Sequence, residues 1–475
     1  MRIKNKNLMN MLKVIFSNLT LLLTGVVTSF VLPKILSVEG YGYYKIFNLY
    51  LTYVILLQFG IVEGIYIEYG GKKLSDIEQE EFSGYLKTLF VIQVALAGVI
   101  IVFSSFFLQS HLQFIGIALA VNVVIINLTN LYQYLSQAIE HFTELSVRNV
   151  IKSILMLVAV LIVYLMYRRF SYADYKLYVI LLIAINATLL MWYLKTYKVI
   201  SFGKGKIRLL KAMELIRIGF PLCMANIISS LILTLDRQVV SIFFSTTDYA
   251  IYSFAYSLLT LASTVVTSIA VVVFSMFKQV DEIILIDNYQ KNIDLVSVLV
   301  CGMGTIYFPL NIFIRNYLPA YEGSLDIFRI IIPGLMISSS ISIVMHNYYK
   351  VLNYNFVFLK KSVIILFVSF IANMIAFYLM GTMSSISYTS VLITVVWYVF
   401  TEKLLKEKYD ISTKGNLLYL IIITIMFYTC SLFESISQGM LWYIIMYCLW
   451  TIISKKRMLA EYGLWQLQKQ TKKRK

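Results

Sequence analysis

Residues 86–136 read LKTLFVIQVALAGVIIVFSSFFL, then QSHL, then QFIGIALAVNVVIINLTNLYQYLS. Two apolar blocks, 86–108 and 113–136, flank a short gap, and Lys87 is the single Lys, Arg, Asp or Glu in the whole stretch. Each block has the twenty or so residues that a helix needs to cross roughly 30 Å of hydrocarbon at about 1.5 Å per residue. The gap has room for a tight connection and no more, so the pair reads as a helical hairpin that spans a membrane twice.

The pattern continues in both directions. Further blocks run 14–34, 44–67, 146–167, 176–195, 215–244, 249–277, 292–314, 326–349, 357–380, 383–401, 416–434 and 438–454. Gly381 and the polar stretch Glu434 to Gly439 are the only punctuation inside the last four. Of 475 residues, 60% are hydrophobic and 14% charged, against roughly 45 to 50% and about 25% in soluble domains. A soluble fold could not bury so much apolar surface. The expected fold class is all-α: a polytopic membrane protein of about fourteen transmembrane helices.

Charge placement tests that count independently of hydropathy. Fourteen spans put both termini on one side, and of 41 Lys and Arg, counting those near a span end with the adjoining connection, 33 fall on that side and 5 on the other. The remaining three, Lys45, Arg237 and Arg329, fall inside spans. Such a bias predicts both termini in the cytoplasm and a bacterial cytoplasmic (inner) membrane location. It accounts for the net charge of +17 without nucleic acid. The basic tail Lys472 to Lys475 and the run from Lys195 to Arg217 are expected to lie against anionic headgroups, so membrane lipids are partners. Met1 to Lys13 is basic, but the apolar stretch after it is long and lacks a cleavage pattern of small residues. It reads as a retained first span.

Cys223, Cys301, Cys430 and Cys448 all fall within spans and read as small packing residues, not a disulfide framework. Outside connections are about ten residues at most, too short to hold the acceptor and catalytic groups of a far-face polymerase or ligase. The phosphate-loop pattern G-x-x-x-x-G-K-[ST] does not occur, so ATP is not expected as the direct fuel. A body made almost wholly of helices is the anatomy of a secondary transporter or a channel, not an enzyme.

An internal duplication is visible. Tyr41-Gly-Tyr-Tyr-Lys-Ile-Phe-Asn-Leu-Tyr-Leu-Thr52 enters span 2, and Tyr249-Ala-Ile-Tyr-Ser-Phe-Ala-Tyr-Ser-Leu-Leu-Thr260 enters span 8. Tyr41/Tyr249, Tyr44/Tyr252, Leu51/Leu259 and Thr52/Thr260 match, at an offset equal to six spans. Two halves of like orientation are expected to rock about a central cavity. The expected organisation is an N-terminal lobe at 1–200, a C-terminal lobe at 201–410, and two extra spans with a basic tail at 411–475.

Specific motifs carry a resemblance. Phe30-Val-Leu-Pro-Lys-Ile-Leu-Ser37, Glu39-Gly-Tyr-Gly-Tyr-Tyr44, Leu57-Gln-Phe-Gly-Ile-Val-Glu-Gly64 and Tyr69-Gly-Gly-Lys-Lys73 resemble the opening of the Wzx-type oligosaccharide-repeat flippases. These belong to the multidrug/oligosaccharidyl-lipid/polysaccharide exporter superfamily. Ile218-Gly-Phe-Pro-Leu222, Leu235-Asp-Arg-Gln238 and Ala250-Ile-Tyr-Ser-Phe-Ala-Tyr256 are similar to the same family. The resemblance implies alternating-access export of a polyprenyl-diphosphate-linked oligosaccharide to the outer leaflet, for O-antigen, capsule or related polysaccharide, alongside other polysaccharide-assembly proteins. It also implies an ion gradient, H⁺ or Na⁺, as the drive. In related lipid II flippases two extra C-terminal helices form a groove for the lipid tail. Spans 13 and 14 match these by position, not by motif.

The transport task itself selects residues. A diphosphate crossing a slab where a bare charge costs from several to more than ten kcal/mol needs fixed cations on its path. Arg237, roughly 10 Å inside the outer end of span 7, is the leading candidate for substrate binding; the alternative is a structural ion pair. Lys45 and Arg329 lie near outer span ends, where they can also snorkel, and Arg329 can pair with Asp326 on its own face. Tyr252 and Tyr256, with Tyr249 on one face of span 8, are candidates for sugar stacking or members of an interfacial aromatic belt. Glu63 is the leading carboxylate for ion coupling, with a solvated interfacial glutamate as the alternative, and Asp236 follows it. His111, His141 and His346 lack helix-spaced ligand partners, so no metal is expected. Pro221, Pro309 and Pro333 are expected to interrupt spans 7, 9 and 10. A multidrug exporter of the same superfamily is the competing function, but it should present a more acidic cavity.

Overall fold

The computed structural model describes residues 2–207, 209–277, 281–352, 354–409 and 415–456. The basic tail from Lys472 lies outside them. All fourteen apolar blocks fall on helices: α1 (Arg2–Ile35), α2 (Val38–Val54, continued by Ile61–Glu68), α3 (Gln79–Phe107), α4 (Ser110–Ala138), α5 (Phe142–Phe170), α6 (Tyr175–Thr196), α7 (Leu209–Ile232, continued by Leu235–Phe243), α8 (Thr246–Phe277), α9 (Tyr289–Gly302, continued by Tyr307–Tyr317), α10 (Ser324–Ser340, continued by His346–Val351), α11 (Asn355–Met380), α12 (Met383–Tyr409), α13 (Asn416–Ser431) and α14 (Ile436–Ser454). The two divisions inside the last four blocks are real: Gly381 caps α11 in the left-handed region at φ +60°, and α13 ends before Glu434. Nine of the described helices are long and apolar enough to cross a membrane, or ten if bent α2 is one span. The chain is a multi-pass helical membrane protein.

Two compact units divide it, Met1–Ser253 and Phe254–Lys475. In the first, α1 packs on α5, α3 on α4, and α4 on α6 and the first segment of α2, while the second segment of α2 packs on α7. Ile61, Val62, Ile65, Phe82, Leu131, Tyr132 and Tyr193 belong to a common buried cluster.

α2 is bent by 57° at a break. A 3-10 turn, Ile55–Gln58, is followed by Phe59 at φ 52° and Gly60 at φ 88°. A break orphans backbone carbonyls, which in a dry interior must find donors. Asn127 Nδ2 of α4 donates to the Val54 carbonyl at 3.0 Å, and Gln93 Nε2 of α3 to the Leu57 carbonyl at 2.8 Å. Asn127 Nδ2 also donates to Gln93 Oε1 at 2.7 Å, so the two amides clamp the bend as one network.

Below the break the second segment of α2 meets α7 backbone to backbone. A Cβ on Gly219 would stand 2.0 Å from the Gly60 carbonyl oxygen and 2.3 Å from the Gly64 nitrogen, so only glycine fits. Gly60 and Gly64 are four apart on one face, the small-xxx-small spacing that lets membrane helices approach closely. α7 is itself interrupted at Leu233 and Thr234. Thr234 Oγ1 donates to the Ser230 carbonyl at 2.9 Å and meets Tyr53 Oη of α2 at 2.8 Å.

The expectation for the prolines holds at one position of three. Pro309 follows a tightened 3-10 turn, Met303–Ile306, in α9, where its ring would clash with the carbonyl four residues back. Pro221 and Pro333 sit inside continuous helical segments. The irregularity in α10 is a π turn at Ile341–Met345, downstream of Pro333.

In the second unit 83% of the apolar window of α10 lies inside the protein. This helix packs on α9 and α12, and α11 packs on α12. α13 and α14 are tied to this body by hydroxyl donors: Tyr443 to the Cys301 carbonyl and Tyr447 to the Val298 carbonyl, both at 2.7 Å, and Tyr428 to the Ile330 carbonyl at 2.9 Å. At their other end buried Lys455 bonds Asp294 and, at 3.3 Å, Asn416. All four cysteines are free.

Candidate functional site

The α7 break sets the geometry around Arg237. Because the helix restarts at Leu235, Asp236 and Arg237 occupy the first turn of a new segment, a place sequence periodicity assigned to mid-helix. A carboxylate there complements the positive end of the segment. Asp236 is 3% exposed; its Oδ1 accepts the Arg237 N–H at 2.8 Å and its Oδ2 accepts the Tyr252 hydroxyl at 2.9 Å. Arg237 is half-buried and donates from Nη2 to the Leu233 carbonyl at 3.1 Å, capping the segment before the break.

Lys45 lies half-buried on the first segment of α2. Its ammonium lies 5.1 Å from the Tyr41 ring and 5.6 Å from the Tyr44 ring, cation–π contacts that help hold a charge away from water. Tyr249 donates to the Lys45 carbonyl at 3.4 Å. A Cβ on Gly42 would come within 2.4 Å of the Thr246 carbonyl oxygen, so the starts of α2 and α8 touch as closely as the second segment of α2 and α7. Lys45, Asp236, Arg237, Tyr249 and Tyr252 therefore form one neighbourhood, in which two cations and a carboxylate share a largely enclosed setting.

The other candidates fall elsewhere. Tyr249, Tyr252 and Tyr256 are all buried, at 1%, 0% and 8% exposure, so this face of α8 is no lipid-facing belt. Arg329, on α10, is bonded to Asp326 at 3.1 Å. Glu63 is 2% exposed and so is not a solvated interfacial residue. It sits beside the glycine seam of α2 and α7, where Oε1 accepts from Gln58 Nε2 at 2.9 Å while Oε2 has no hydrogen-bond partner among the described residues. His346 stacks on Phe358 at 4.3 Å, and His111 on Tyr43 at 4.4 Å with Nδ1 2.9 Å from the Tyr175 hydroxyl. Among the described residues no group of His, Cys, Asp or Glu could hold a metal.

Several polar residues escaped the sequence reading. Gln58, Gln93 and Asn127 are wholly buried at the α2 break; their only sequence signal is an amide inside an apolar run, which hydropathy averages away. Arg148 was counted with the inner loops. It is 3% exposed, bonds Thr196 at 2.7 Å and Glu144 at 3.3 Å, and lies 4.0 Å from the Tyr193 ring.

The fold has solved relatives. A structure described as "Lipid II flippase MurJ, inward closed conformation" matches at TM-score 0.67 and 13% identity, over 95% of this chain and all of that one. The MATE multidrug transporter DinF-BH matches at 0.60 and 11%, over 86% of this chain and 95% of its own. An inward-facing multidrug resistance MATE family transporter of the MOP superfamily matches at 0.58 and 13%, over 82% and 96%. At such identities the likeness establishes the fold. No curated protein sequence matches. The model of the family described as "Polysaccharide biosynthesis protein" matches residues 8–280, more than half of the chain. The chain belongs to the polysaccharide biosynthesis protein family.

Proposed function

We propose that the chain is a flippase that moves a polyprenyl-diphosphate-linked oligosaccharide repeat from the cytoplasmic to the outer leaflet of a bacterial cytoplasmic membrane, by alternating access, for O-antigen or capsule assembly. The observation that carries this reading is the neighbourhood beside the α7 break, in which Tyr249 and Tyr252 of α8 reach the Lys45 backbone and the Asp236 carboxylate next to Arg237. Lys45 and Arg237 are both half-buried cations, and a diphosphate is an anion that charge-assisted hydrogen bonds from both would hold. Membership in a polysaccharide biosynthesis family and a fold like that of MurJ support the same substrate class. In this role Arg237 and Lys45 contact the diphosphate, Tyr252 holds Asp236 in place beside Arg237, and Tyr256 and Arg329 contact the saccharide. Glu63, with a carboxylate oxygen unpartnered in a tight seam, is the group through which H⁺ or Na⁺ would be coupled, and Asp236 is a second.

A multidrug exporter shares the fold, but it must attract cations, and the neighbourhood of Arg237 repels them. The test follows the lipid-linked repeat in cells carrying the deletion, the wild type, or Arg237→Ala at equal expression. Accumulation in the cytoplasmic leaflet in the deletion and in Arg237→Ala supports the assignment. Normal export in the deletion, with no second transporter present, overturns it.

A further inference from the structure

The second unit holds a cavity that the proposed diphosphate site does not use. Its volume is about 610 Å³, within the roughly 300 to 1,000 Å³ of small-molecule sites. It opens where α9 runs into α10 and α13 into α14, on the face that the charge asymmetry assigns to the outside. Its walls combine the rings of Tyr307, Phe308 and Phe433 with Asn311, Arg315, Glu322, Asp326, Arg329 and Glu434.

Charge decides what kind of ligand suits it. Arg315 Nε lies 3.5 Å from Glu322 Oε1, and Arg329 Nη2 lies 3.1 Å from Asp326 Oδ1, so each cation is already answered by a carboxylate. Glu434 adds a further negative charge. The floor is Asn311, 3% exposed, whose Nδ2 donates to the Tyr307 hydroxyl at 3.0 Å. Its Oδ1 has no hydrogen-bond partner among the described residues. A buried acceptor of this kind costs about 1 to 3 kcal/mol unless a donor reaches it. Acceptors outnumber free donors, aromatic faces stand beside them, and the mouth is polar. A phosphate would meet this excess of carboxylates unfavourably. A saccharide brings hydroxyl or amide donors for Asn311 and the carboxylates and apolar C–H faces for the rings.

We propose that this cavity is a binding site for a neutral or amino-bearing saccharide, with Asn311 and Glu434 accepting its hydrogen bonds. It deepens the flippase reading and rests on it only for the source of the glycan, which would be the exported oligosaccharide on the outer face.

The test is saturation-transfer NMR on the full chain in phosphatidylcholine nanodiscs, where no glycosidic detergent competes. The probes are the trimers of N-acetylglucosamine, glucosamine and glucose, with phosphoethanolamine as a lipid-headgroup probe. Transfer to at least one trimer is expected, weakened about tenfold in Asn311→Leu and in the exposed, structurally mild Glu434→Gln, from the loss of one charge-assisted or buried hydrogen bond. Failure of all three trimers, a trimer signal that survives both substitutions, or binding of phosphoethanolamine alone overturns the site. The two readings fail separately: Asn311-dependent trimer binding supports the site even if the deletion exports its lipid-linked repeat normally. A chain that exports but binds no trimer sinks the site and leaves the flippase standing.

Discussion

Arg237 donates from Nη2 to the carbonyl beside the break, and its neighbour Asp236 accepts the Tyr252 hydroxyl on one oxygen and the Arg237 N–H on the other. Replacing Arg237 with alanine should remove about 2 kcal/mol or more of charge pairing with a diphosphate, a loss of roughly thirtyfold or more in export rate at limiting substrate. Arg237→Lys should restore part of it, since the charge survives and the planar fork does not. The measurement is initial export of lipid-linked repeat at matched protein level. Glu63→Gln is the companion prediction. It preserves the size of the side chain in the α2 and α7 seam, so thermal stability should change little, while dependence of export on an imposed ion gradient should vanish. Unchanged gradient dependence would remove Glu63 from coupling. At this scale sequence singled out Arg237 and Glu63, because a charge inside an apolar block stands out, while buried Arg148, near the edge of its block, was counted with the loops. Sequence was silent on Gln58, Gln93 and Asn127, whose amides carry no charge and whose importance comes from carbonyls that only the folded backbone leaves unpaired.

At the scale of elements, the described geometry turns on two broken helices. Gln93→Leu should orphan the Leu57 carbonyl and strip Asn127 of a partner, at about 1 to 3 kcal/mol, visible as a lowered unfolding midpoint of the purified chain. Gly219→Leu should force α2 and α7 apart, since even a methyl group would overlap the Gly60 carbonyl. The protein should insert and lose most export; full export would mean that this contact plays no part in the cycle. All fourteen helical blocks were legible because hydropathy summed over twenty residues is a strong signal. The breaks were not. Helix α7 parts at Leu233 and Thr234 without a proline, and Pro221 rides inside a continuous segment, because in a membrane helix neighbours can re-satisfy the group that proline frees. The close seams carried a readable trace in Gly60 and Gly64, but their partner Gly219 lies more than 150 residues away, and no local pattern joins them.

For the whole molecule, the asymmetry of 33 basic residues against 5 predicts an orientation that reporter fusions can check. Reporters placed after residue 475 and in the connection at 203–207 should read inside, and one at 171–174 should read outside. Fold and class were readable from the full chain because a membrane imposes one length and one polarity on every span. Substrate chemistry was readable only as far as charge, and the saccharide cavity was hidden because its residues come from four helices and two connections. The claim that binds these scales is that the chain itself moves a diphosphate-linked glycan between leaflets. The most direct measurement reconstitutes the purified protein in liposomes holding a polyprenyl-diphosphate-linked saccharide and follows, over time, how much becomes accessible to a membrane-impermeant oxidant outside. Accessibility should pass well beyond the outer-leaflet fraction with wild type and rise roughly thirtyfold more slowly, or slower still, with Arg237→Ala. Identical plateaus for wild-type protein and protein-free liposomes, under an imposed gradient of either ion, would contradict the account.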